Sequence, residues 1–106
     1  MDDWTPDELS EDEAYDLVAE ELRRETLRLL LNESEEWDVS SLATEIAARE
    51  SDISHSEVNE GDQKRVAVAL LHRDLPKLAD ADVVEFDFED ETVVTGEHID
   101  DLDPLL

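Results

Sequence analysis

A chain of 106 residues with 33 acids, 8 Lys and Arg and a formal net charge of −25 is long enough for one domain with a modest core. It has no cysteine, which excludes disulfides and thiolate metal sites. No apolar run nears the roughly 18 residues of a membrane span, and the acidic opening MDDWTPDELSEDE is unlike a signal peptide, so a soluble cytoplasmic protein is expected. The 40% of hydrophobic residues fall in periodic blocks, unlike those of a disordered polyanion. Acids spread along nearly the whole chain suit a surface that must stay hydrated in concentrated salt, where the Debye length shrinks to about 3 Å at 1 M.

Residues 1–9 read as an N-terminal arm with two possible anchors, Trp4 and Leu9. Ser10 with Glu13 fits a capping box, and the helical pattern Tyr15, Leu17, Val18, Leu22, Leu27, Leu30 and Leu31 runs to about Asn32, as one helix or as two broken near residues 19–21. Arg23, Arg24 and Arg28 lie among Glu20, Glu21 and Glu25, which predicts weak ion pairs on the helix surface. A polar connector with Trp37 leads to Val39, a candidate short strand. Ser40 is a plausible N-cap for a helix ending near Glu50, with Leu42, Ala43, Ile46 and Ala47 as its buried stripe. Residues 51–61 form a polar loop in which Ser54 and Glu57 again fit a capping box.

The next segment is the centre of the reading. A long helix over residues 62–78 places Val66, Ala67, Leu70, Leu71, Leu75 and Leu78 on one side, and Arg65, Ala69, His72 and Arg73 on the other. Pro76 is expected to kink or end it. The period then changes to two. Val84, Phe86 and Phe88 alternate with acids, and after residues 89–91 comes the β-branched run of residues 92–95, so residues 83–95 read as a hairpin. Gly96 ends it. The tail EHIDDLDPLL carries Ile99, Leu102, Leu105 and Leu106. Helix, strand, helix, helix, strand, strand is the order of an α+β, mainly α, winged helix-turn-helix. The domain spans residues 10–96, and an apolar-acidic tail follows at residues 97–106. Its expected core is Leu27, Leu30, Ile46, Leu70, Leu71, Leu75, Leu78, Val84 and Phe86.

The stretches LRRETLRLLL, VSSLATEIAARE and KRVAVALLHRDLPKLADADVVEFD, above all His72 to Leu78 as H-x-x-L-P-K-L ahead of Val83 and Val84, are similar to a family of small haloarchaeal winged-helix domains taken as transcriptional regulators. The resemblance implies that fold and DNA binding. The chain departs from it at Leu22 and Glu25, which dilute a basic cluster, and at Asp82, where the family usually has glycine.

Residues 62–78 hold four bases and two acids, against the trend of the whole chain. They are read as a recognition helix meeting double-stranded DNA through Gln63, Lys64, Arg65, Ala69, His72 and Arg73, with the hairpin as wing. The competing reading is that these bases pair with nearby carboxylates and that the scaffold is a protein-interaction module, acidic enough to mimic DNA. His55, His72 and His98 lack ligand spacing and no catalytic motif occurs, so no enzyme, metal or cofactor is expected. A homodimer is expected through Trp4, Leu9, Ile99, Leu102 and Leu106; the alternative is that both ends fold over their own domain.

Overall fold

The computed structural model describes residues 10–33 and 35–106; the arm expectation, with Trp4 and Leu9, lies outside them. The architecture is a mainly helical α+β domain with a small three-stranded antiparallel sheet, compatible with a winged-helix arrangement.

Two helices, not one, occupy the first block: α1 (Glu11–Leu17) and α2 (Glu21–Asn32). Ser10 caps α1, its hydroxyl accepting from the Glu13 amide at 3.1 Å. The break at residues 18–20 is held by arginine. Arg24 donates to the Val18 and Ala19 carbonyls at 2.9 and 3.1 Å, engaging groups that the end of α1 leaves without helical partners.

Strand β1 is Trp37–Asp38, one residue before the expected Val39. Val39 instead opens α3 (Val39–Ser51), although its amide still bonds the Glu91 carbonyl at 2.9 Å and so prolongs the sheet ladder. Asp38, not Ser40, is the N-cap. Its carboxylate accepts from the Ser41 hydroxyl at 2.6 Å and from the Ser40 and Ser41 amides, and these bonds hold it below the usual carboxylate range. The Ser54–Glu57 capping box is present but closes only a single 3-10 turn, His55–Glu57. Asn59 caps the long helix through the Asp62 amide at 2.8 Å.

That helix runs continuously as α4 (Glu60–Ala69), a π turn (Leu70–Asp74) and α5 (Leu75–Asp80). Pro76 neither ends it nor stops its packing. A proline ring collides with the carbonyl four residues earlier in an α-helix, and the wider π turn, closed by the Leu75 amide on the Leu70 carbonyl, accommodates it. The extra residue also restores phase. In an uninterrupted α-helix Leu75 would lie about 140° around from Leu70; here Val66, Leu70, Leu75 and Leu78 are all fully buried.

Strands β2 (Val84–Asp87) and β3 (Thr92–Thr95) form the hairpin, and β1 adds to β3, giving the order β1-β3-β2. Trp37 is opposite Val93, and Val93 is opposite Phe86. Leu27, Leu30, Ile46, Leu70, Leu75, Leu78 and Val84 are buried as expected; Leu71 and Phe86 are only half-buried, Phe86 because it lies towards the hairpin tip. Asp82, φ 59°, takes the left-handed conformation that glycine adopts without strain.

The tail belongs to the domain. Turns at Ile99–Asp101 and Asp103–Leu105 place Ile99 and Leu102 inside the core, and Arg28 donates to the Leu106 carbonyl at 3.1 Å. Gly96 permits this return: a Cβ there would stand 2.6 Å from the Asp82 carbonyl oxygen and 2.8 Å from backbone atoms of Val83 and Val84. Gly96→Ala is expected to cost about 1–3 kcal/mol in urea unfolding, because backbone must move. Gly61→Ala, where the added atom meets only the Asn59 side chain at 3.3 Å, should be near neutral and serves as the control.

Candidate nucleic-acid interface on the long helix

The solvent side of α4 carries Gly61, Lys64, Arg65, Val68 and His72, spaced by three and four residues. Val68, 47% exposed, sits at the middle of this stripe. Ala69, expected there, is half-buried, because the inward stripe of Val66 and Leu70 brings it toward the flank of the helix.

The predicted contact residues divide by what they already touch. Gln63 donates to the Ser40 carbonyl and hydroxyl at 3.1 and 3.0 Å, which fixes the start of α3 against α4. Arg65 reaches Glu50 at 3.1 Å, but its side chain is 61% exposed, so the pair is a weak surface one. Arg73 clasps Asp74 with two hydrogen bonds of 2.9 and 3.2 Å, and that carboxylate raises its pKa further. Lys77, one turn on, meets Asp16 of α1 at 2.7 Å and lowers that carboxyl. Lys64 and His72 are exposed, and their side chains have no hydrogen bond or ion pair among the described residues. Thus Lys64, Arg65, Val68 and His72 form one open surface, while Gln63 and Arg73 are engaged within the fold.

At the π turn lies a buried pair that spacing does not predict. Asp74 is fully buried and accepts from Arg23 at 3.2 Å. The guanidinium of Arg23, itself buried, also donates to the Leu17 carbonyl at 2.9 Å and the Asp16 carbonyl at 3.0 Å. Contrary to the expectation of a surface pair with a helical glutamate, Arg23 is buried and joins the end of α1 to the π turn of the long helix. Arg28 does pair with a neighbour, Glu25, at 3.3 Å.

The residues expected to form a dimer contact are not brought together as a surface. Ile99 and Leu102 are buried in their own domain, Leu102 completely, and Leu106 is half-buried against the same core. Among the described residues no helix is long and apolar enough to cross a membrane. A family model described as Domain of unknown function (DUF7344) matches residues 15–94, from within α1 to within β3. No curated protein and no solved structure matches the chain.

Proposed function

The chain belongs to the DUF7344 family, and from its geometry we propose a winged helix-turn-helix DNA-binding regulator of transcription, adapted to the saline cytoplasm of a halophilic archaeon, that presents α4 to the major groove. One observation carries this reading. The eleven residues from Gln63 to Arg73 hold no acid, in a chain where 33 of 106 residues are acidic. A helix face kept only for hydration would share the acidic load of its surroundings; a face that approaches phosphates must shed it.

The side chains suit that task. Lys64 supplies a point charge for a phosphate, and Arg65 a planar fork for the O6 and N7 atoms of guanine. The Glu50 contact of Arg65 is exposed and worth a few tenths of a kcal/mol, so a guanine edge displaces it readily. In molar salt counterion release contributes little, and affinity rests on such base contacts. The hairpin tip, acidic throughout residues 89–91, stands off the backbone instead of gripping it.

Selection from random duplexes in molar KCl tests this directly, and an enriched motif is the expected result. On that motif Arg65→Ala should lose about 1–3 kcal/mol and relax the preference at one base pair. Arg73→Ala should lose less, since Asp74 already occupies its fork. No enrichment, or an Arg65→Ala variant that binds like the parent, overturns the proposal.

A further inference from the structure

The wing presents a second surface, of opposite character to α4. Phe88 is 59% exposed at the hairpin tip, and its ring lies 5.0 Å from that of the half-buried Phe86, tilted by 45°. Phe86 and Phe88 are among the residues lining an open depression of about 580 Å³, with Glu36, Glu85, Glu89 and Asp90. The pleat turns Glu85 to the face opposite Phe86, so the acids nearest the rings in the chain are those of the tip, Glu89 and Asp90. Among the described residues none of the four acidic side chains has a hydrogen bond or ion pair to a cation. Asp87 is different. Its Oδ1 accepts from the Glu89 and Asp90 amides at 2.9 and 3.1 Å, which pins the tip and holds the aromatic pair in place.

We propose that this wing face docks a cationic polypeptide segment, one that lays an arginine or an apolar side chain on the Phe86–Phe88 pair and sets neighbouring bases against the acidic rim. An exposed aromatic pair calls for a partner that removes it from water. The rim decides which partner. A second copy of this chain would bring the same carboxylates, and duplex DNA would bring phosphates; both meet like charge at close range. A metal ion would need converging ligands, and among the described residues no three of His, Asp or Glu form such a group. A guanidinium satisfies both halves of the site, stacking on a ring and pairing with a carboxylate. β2 is also the outer strand of the sheet in the order β1-β3-β2, so an extended segment can run alongside it. The proposal stands whether or not α4 meets DNA.

The test uses the full chain in 1 M KCl with a fluorescent ten-residue peptide alternating Arg and Leu, followed by anisotropy. Controls are an Arg/Ser peptide of equal charge and a Glu/Leu peptide. The expected result is saturable binding of the Arg/Leu peptide, at least tenfold weaker for Arg/Ser and absent for Glu/Leu. Phe88→Ala should weaken it at least tenfold while leaving the melting temperature unchanged, Phe88→Trp should retain it, and Glu89→Gln with Asp90→Asn should weaken it without loss of fold. Equal binding of Arg/Leu and Arg/Ser, or binding that Phe88→Ala leaves intact, means general attraction to a polyanion and overturns the proposal. So does absence of binding, or a Phe88-dependent self-association, which would make the occupant a second copy.

Discussion

Replacing Asp74 with alanine is expected to lower the stability of the domain by about 3–5 kcal/mol, the cost of leaving a buried charge without its counterion. Arg23 cannot relax toward water, since its side chain is 6% exposed and two of its other donors are held by the Leu17 and Asp16 carbonyls. Arg73→Ala, which removes the other base on the same carboxylate, should cost under about 1 kcal/mol because that side chain is on the solvent side. The double variant Arg23→Met with Asp74→Leu should recover much of the loss, as apolar replacements of buried ion pairs do. Urea unfolding at constant salt measures all three. If Asp74→Ala costs no more than Arg73→Ala, the buried pair is not what joins α1 to the long helix.

The second large effect is that of salt. At roughly 0.2 kcal/mol of net repulsion for each uncompensated charge, as for like charges one helical turn apart, a net −25 amounts to about 5 kcal/mol. That is comparable with the whole stability of a small domain. The melting temperature is therefore expected to rise steeply from dilute buffer to molar KCl, as the screening length falls from about 10 Å at 0.1 M to about 3 Å at 1 M. Thermal scans across that range, with sodium and potassium compared, decide the point. A flat profile would mean that the carboxylates are neutralised locally, and the proposed adaptation to saline conditions would fall.

Most of the fold was legible because each element declares its period. The hairpin, the helix of residues 39–51 and most of the core follow from spacing alone. The long helix was misread at one place, and its signal was present: Leu70 and Leu75 are five apart, the repeat of a π turn, directly before a proline. Forcing those residues onto an α period placed Leu71 in the core and Ala69 on the open face, where the structure has Val68. Asp74 and Arg23 were hidden for a different reason. Where acids are this frequent, a buried aspartate bears no compositional mark, and its partner is 51 residues away. Spacing alone leaves the tail two readings, a dimer contact or a return over its own domain, and Pro104 with the close approach at Gly96 turns it back in short 3-10 turns.

The two-residue strand β1 has a consequence for the order in which the chain assembles. The β2–β3 hairpin closes over a few residues, and α3 packs against α4, its neighbour in sequence. β1 must instead find β3 across more than fifty residues, Trp37 to Val93 and Asp38 to Thr92. Loop-closure entropy makes that encounter costlier than the hairpin by about 2 kcal/mol. Two residue pairs, prolonged by the Val39 amide on Glu91, return little for it. The third strand is therefore expected to join late, after the hairpin exists as a template, so the Val39 amide should exchange with solvent before the amides paired between β2 and β3.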